Sequence, residues 1–158
     1  MTGKELNVAL NSLLNDTNDE IAILANASSL LYDFLDDVNW VGFYLLKNNK
    51  LVLGPFQGKP ACVYIELGRG ACGRCAESKE TVILEDVKKE KNYISCHDET
   101  NSEIVIPLLI DNKIYGVLDI DSTSVNRFKE SDKITLEESA KIIANKIANI
   151  KKMNRFYL

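Results

Sequence analysis

The sequence predicts an α+β domain, on three observations. Apolar residues recur at three-to-four spacing near both ends of the chain, short aromatic and β-branched runs fill its middle, and one glycine-punctuated, alanine-bearing stretch interrupts those runs. The implied order is two helices, a mostly antiparallel sheet with one helical crossover and one long loop, then a closing helix. With 158 residues, 46% of them hydrophobic and 27% charged, the chain suffices for one well-buried core and is short for two. A single domain over 1–158 is expected, with N-terminal helices in 1–37, sheet and site loops in 39–122 and a C-terminal helix in 130–152.

The elements follow in order. Leu6, Leu10, Leu13 and Leu14, then Ile21, Leu24, Ala25, Ser28 and Leu31, mark two helices separated by "NDTND", where Asn18 or Thr17 would cap the second. "NWVGFYLLK" and "KLVLGPFQG" around "KNNK" read as a hairpin, and "CVYIEL" as a third strand. "GRGACGRCAESKE" reads as a turn entering a short helix, "TVIL" as a brief strand, and "EDVKKEKNYISCHDETNS" as a long polar loop of the kind that is usually functional or disordered. "SEIVIPLLIDNKIYGVLDIDS" is a second hairpin around "DNK". Leu136, Ala140, Ile143, Ile147 and Ile150 line one face of the last helix, which leaves Lys141, Lys146, Lys151 and Lys152 as a solvated face.

A formal net charge of −4 with both signs interspersed argues against nucleic-acid and anionic-membrane surfaces. Residues 1–20 lack a secretory leader pattern, and no window approaches the roughly 18 apolar residues of a membrane span, so a cytoplasmic location is expected. In that compartment the four cysteines, Cys62, Cys72, Cys75 and Cys96, are not expected to form structural disulfides. Catalytic, redox and metal roles stay open, as does burial.

Several residues could carry chemistry. Asp119 and Asp121 alternate on a strand and share a face with Val117 and Tyr115, either as a site or as an exposed strand end. Glu103 begins the partner strand, so three carboxylates could gather near the Cys96 loop, suited to an ammonium group or a shared proton. The C-x-x-C of Cys72 and Cys75 suits a redox pair, unpaired thiols or half a zinc site. The remaining donors, Cys62, Cys96 and His97, contain no second matching pair, so no metal is expected. The "GRGACG" turn would place Cys72 at a helix N-terminus, where the dipole would lower its pKa. Trp40 and Tyr44 share a strand face, as core or as a pocket wall. His97 reads more readily as solvent-exposed than as an assistant to Cys96.

Taken together, "NWVGFYL", "LVLGPFQGKPAC", "GRGACG", "ISCHDETNSEIVIPL" and "YGVLDIDS" resemble the free methionine-(R)-sulfoxide reductases, small enzymes built on a lone GAF domain. The resemblance runs in register from about Asn39 to Asp121. It implies that Cys96 attacks the sulfoxide sulfur and becomes a sulfenic acid, that Cys62 resolves it as a disulfide, and that Cys72 is a further cysteine near the site. It also implies that Glu103, Asp119 and Asp121 bind substrate and protonate the departing oxygen, and that Trp40 and Tyr44 wall the pocket. Thioredoxin as reductant, a homodimer through the terminal helices and no cofactor belong to the same expectation. The chemistry agrees: a sulfoxide oxygen leaves poorly unless protonated, and a sulfenic acid needs a second thiol. Cys75 and His97 depart from the family pattern. A non-enzymatic GAF sensor of small molecules or redox state is the rival reading; the expectation that such a sensor carries an output domain, and its lack of need for paired cysteines beside acids, weigh against it.

Overall fold

The structure, a computed structural model, describes residues 2–156. Helix α1 (Gly3–Leu14) starts at a capping box in which the Thr2 hydroxyl accepts from the Glu5 amide and the Glu5 carboxylate accepts from the Thr2 amide. Helix α2 (Glu20–Phe34) is capped by Asp19, whose carboxylate accepts from the Ala22 amide at 2.9 Å. The cap is therefore one or two residues later than expected, because Asp19, with φ −125° and ψ 128°, is the extended residue that immediately precedes the first helical turn. The buried faces are Leu6, Leu10 and Leu14 on α1 and Ile23, Leu24, Ala27, Ser28 and Leu31 on α2. Leu13, Ile21 and Ala25, expected inside, are exposed, since at about 100° per residue they fall off the stripe that meets the sheet.

The six strands are β1 (Trp40–Lys47), β2 (Lys50–Gly58), β3 (Tyr64–Glu66), β4 (Val82–Leu84), β5 (Ser102–Ile110) and β6 (Lys113–Ser122). They form one sheet in the order β3-β2-β1-β6-β5-β4, and every pairing is antiparallel. Both predicted hairpins form. Their two-residue turns have positive φ throughout, at Asn48 and Asn49 and at Asp111 and Asn112, the conformation that Asn and Asp tolerate and that matches strand twist. Helix α3 (Gly70–Ser78) is the crossover between β3 and β4, and the long loop after β4 contains only a single 3₁₀ turn at Val87–Lys89.

Helix α4 (Glu130–Phe156) closes the fold with Leu136, Ala140, Ile143, Ile147 and Ile150 buried as predicted. Ser139 on α4 donates to Asn7 Oδ1 at 2.6 Å, and Asn7 Nδ2 donates to the Thr135 carbonyl at 3.1 Å, locking α1 to α4. No helix among the described residues is long and apolar enough to cross a membrane.

Alternation along the strands divides the interior in two. Val41, Phe43, Ile104, Ile106, Leu108, Leu118 and Ile120 face α1, α2 and α4. Each such fully buried side chain contributes roughly 1.5–3 kcal/mol. Trp40, Tyr44, Val105 and Val117 face the other way, against α3 and Leu84 and Val87. Tyr115 is the exception to the predicted shared face with Asp119. The β5–β6 register shifts between Leu108 and Leu109, whose partners are Gly116 and Ile114, and the extra residue turns Tyr115 toward the helical layer, where its hydroxyl bonds Glu20.

Candidate active site

The site lies on the second face, under the Cys96 loop. Three strands place its acids: Glu103 on β5 is directly opposite Asp121 on β6, and Asp121 is opposite Trp40 on β1. The period of two then brings Asp119 and Tyr44 to the same face. Far from being an exposed strand end, the acid set is buried, with Glu103, Asp119 and Asp121 at 6%, 6% and 5% exposure. One oxygen of Asp119 and one of Asp121 have no hydrogen-bond partner.

Burial and mutual repulsion keep protons on this cluster. The Glu103 carboxyl is pushed well above the ordinary range by burial and then by Asp119 and Asp121. Asp119 is pushed up to about 7, again by burial first and by Asp121 second. Asp121 rises for the same first reason, but the nearby His97 imidazole pulls it back. At neutral pH this arrangement holds both a proton donor and residual negative charge in a buried cleft.

Trp40 is aimed by Gly42. A Cβ there would come within 2.6 Å of the Trp40 ring and 2.4 Å of Phe56 Cβ, so the glycine lets the indole stack on Phe56 at 5.2 Å between centroids. Trp40 Nε1 donates to the Lys59 carbonyl at 3.0 Å, and the Tyr44 hydroxyl donates to the Cys62 carbonyl at 2.8 Å. The two aromatics thus wall the pocket and also hold the segment that carries Cys62.

Cys62 and Cys96 are joined in a disulfide across 34 residues of sequence. Cys72, at the third position of α3, sits 3.9 Å from a Glu103 carboxylate oxygen, and both Cys72 and Cys75 are buried free thiols. The expected lowering of the Cys72 pKa by the helix dipole is overturned: burial first, then Asp119 and Glu103, push it well up. Cys75 is pushed up by burial too, and its Sγ donates to the Val105 carbonyl on the sheet. Donor atoms of Cys72, Glu103 and Asp119 lie within 4.8 Å of one another. Three groups that favour their protonated forms make a poor zinc set.

His97 corrects a second expectation. Its side chain is 7% exposed rather than in solvent, with Nδ1 3.6 Å from Asp121 Oδ2 and Nε2 3.0 Å from the Pro60 carbonyl. Sequence reasoning also passed over Tyr93 and Ile94, which line the cavity from the loop. The signal was present, since "YI" is an apolar pair in an otherwise polar stretch. Gly70 admits it: φ there is +61°, and a Cβ would lie 3.2 Å from Ile94. In this disulfide form the cavity between Trp40, Tyr44, Cys72, Cys96 and the three acids has a volume of about 20 Å³, room for about one water.

Residues 10–147 match the GAF domain family. The chain is 48% identical over 134 residues to the free methionine-R-sulfoxide reductase of Escherichia coli K12, covering 85% of this chain and 81% of that protein. Among solved structures, the reduced form of fRMsr of Staphylococcus aureus superposes with a TM-score of 0.90 at 48% identity, covering 92% of this chain and 95% of that one. The free methionine-R-sulfoxide reductase of Neisseria meningitidis in complex with its substrate superposes at 0.92 with 37% identity, over 96% and 91% of the two chains. The six-stranded sheet order, the buried acids of β5 and β6 and this similarity along most of the chain lead to one conclusion: the protein belongs to the GAF-domain family of free methionine-(R)-sulfoxide reductases.

Proposed function

We propose that this chain reduces free L-methionine-(R)-sulfoxide to L-methionine. The observation that carries the reading is the Cys62–Cys96 disulfide placed beside a buried, partly protonated carboxylate cluster with unpartnered oxygens. The reductases of similar sequence from E. coli and of similar structure from N. meningitidis support it.

In this reading the Cys96 thiolate attacks the sulfoxide sulfur while a protonated carboxyl of the Glu103–Asp119 pair gives its proton to the oxygen. The hydroxyl oxygen then passes from the substrate sulfur to the Cys96 sulfur as the transient sulfur–sulfur bond and the S–O bond break, leaving Cys96 as a sulfenic acid and methionine as the thioether. The Cys62 thiol then condenses with the sulfenic acid, a water leaves, and the disulfide seen here results. A thioredoxin dithiol would reduce it by exchange, supplying the two electrons of the cycle and becoming a disulfide itself. The α-ammonium of a free amino acid answers the unpartnered oxygens of Asp119 and Asp121, and the sulfoxide methyl packs on Trp40. A peptide-bound methionine lacks that cation.

Turnover tests the reading. The purified protein with thioredoxin, thioredoxin reductase and NADPH is expected to oxidise NADPH on the free R-sulfoxide and barely on the S form or on peptide-bound substrate. Absence of consumption on the free R form sinks it.

A further inference from the structure

His97 is the only histidine of the chain, and both of its ring nitrogens face acceptors. Nδ1 stands 3.6 Å from the Asp121 carboxylate, and Nε2 stands 3.0 Å from the Pro60 carbonyl. A neutral imidazole has one N–H and one lone pair, so with Asp121 ionised either tautomer would aim a lone pair at an acceptor, whereas a protonated Asp121 would suit the tautomer that carries its N–H on Nε2. With Asp121 ionised, only the imidazolium both donates to Pro60 and pairs its charge with the carboxylate. The side chain is 7% exposed, with its Pro60 contact at the exposed rim of the site.

Position in the chain turns this into a device. His97 directly follows Cys96, and Pro60 is two residues before Cys62, so the contact ties the two disulfide segments together without using sulfur. The other bonds that hold the Cys62 segment, from Trp40 and Tyr44, come from the sheet and do not reach the Cys96 loop. The Lys59–Glu99 ion pair at 2.9 Å does link the two segments, but it is exposed on both sides and contributes little.

We propose that His97 is the positioning residue of the resolving step: as an imidazolium anchored on Asp121, it clamps Pro60, and with it Cys62, against the Cys96 loop. The chemistry it serves is balanced without further reagents, since the Cys96 sulfenic acid and the Cys62 thiol give a disulfide and one water. The groups around it favour the charge. Asp121 pairs with it from β6, Asp119 and Glu103 line the same cavity, and Asp98 and Glu99 follow it in its own loop; against them stand Arg69, which also lines the cavity, and Lys59, already paired with Glu99. The Asp121 contact first, and the Pro60 carbonyl as well, raise its pKa above the ordinary histidine value against the opposing effect of burial. The sign follows: the clamp is fully present below about pH 6.5 and is lost as pH rises through the raised folded value.

The proposal rests on the reductase reading only for the identity of the oxidant, so the experiment replaces the sulfoxide with hydrogen peroxide. Peroxide converts the Cys96 thiolate to a sulfenic acid with loss of hydroxide, and dimedone trapping then reads how long that acid survives before Cys62 closes on it. His97→Ala is expected to lengthen the lifetime about tenfold, the loss of one hydrogen bond to a charged group. The ratio of the wild-type to variant closure rates should fall toward one as pH rises through the His97 midpoint. His97→Gln, which can donate to Pro60 without charge, should recover part of the rate at a level independent of that midpoint. Independently of any variant, the single imidazole spectrum of the oxidised protein should show both ring nitrogens protonated at pH 6, with a midpoint above 6.5 that drops in Asp121→Asn. One unprotonated ring nitrogen at pH 6, or an unchanged sulfenic acid lifetime in His97→Ala, overturns the proposal. Neither outcome depends on whether methionine sulfoxide is turned over.

Discussion

Glu103 and Asp121 face each other across the β5–β6 pairing, both on the cavity side and both more than nine-tenths buried. Two carboxylates in that relation cannot both ionise cheaply, and with Asp119 two residues along β6 on the same face they share protons instead. In the proposed reduction, this cluster would supply the proton that a leaving sulfoxide oxygen needs.

The cluster makes stability fall as pH rises. Asp119 has an ordinary value of 3.8 and is held at about 7 in the fold, so the folded state binds more protons in that window. The contribution is present below about pH 4 and is lost progressively toward pH 7 and beyond. Urea titrations from pH 4 to 8 should show this slope in the wild type and a flatter profile in Asp119→Asn, with activity reduced in the variant.

The two bonded cysteines should separate kinetically. Cys96→Ser is expected to abolish even the first, stoichiometric release of methionine, whereas Cys62→Ser should spare that release and stop at one turnover. Cys72 and Cys75 are poor substitutes for Cys62, because both are buried with thiol pKa values pushed up. Rapid-quench measurement of methionine in the absence of reductant distinguishes the variants.

Closure of the 34-residue span by the disulfide should stabilise the oxidised protein by roughly 3–4 kcal/mol through the loop entropy of the unfolded chain. It should also shut the site, since a cavity of about 20 Å³ cannot admit an amino acid. Calorimetric titration with L-methionine is expected to give heat with the reduced protein and none with the oxidised one.

Gly42 is expected to tolerate no side chain. Gly42→Ala puts a methyl 2.6 Å from the Trp40 ring and 2.4 Å from Phe56 Cβ, both tightly held, so a loss of about 1–3 kcal/mol should follow. Because the indole must move to relieve the clash, KM should rise more than kcat falls in the population that remains folded.

Much of this was legible in the residues. Asn48-Asn49 and Asp111-Asn112 announced their hairpins because only a few side chains accept positive φ twice in succession. Trp40 and Tyr44 announced a shared face because a strand repeats every two residues, and the lid residues Tyr93 and Ile94 left a signal that was there to be read. Tyr115 was misplaced for the complementary reason: a β-bulge adds one residue to one strand, and nothing local to "KIYGV" records the partner it must fit.

The sequence by itself determined the α+β order of elements, the strand faces outside the β6 bulge and, through its motifs, the set of cysteines and acids that meet at the site. These are properties of neighbouring dihedrals and of short spacings, which the chain carries wherever it goes. Tertiary structure alone decided that the acids are buried with raised pKa values, that Cys72 has a raised rather than a lowered pKa, and that His97 stands between Asp121 and Pro60 instead of in solvent. Each of those depends on desolvation and on charges brought from distant segments, and the free energy of a proton is set by everything that surrounds it, not by the residues beside it in the chain.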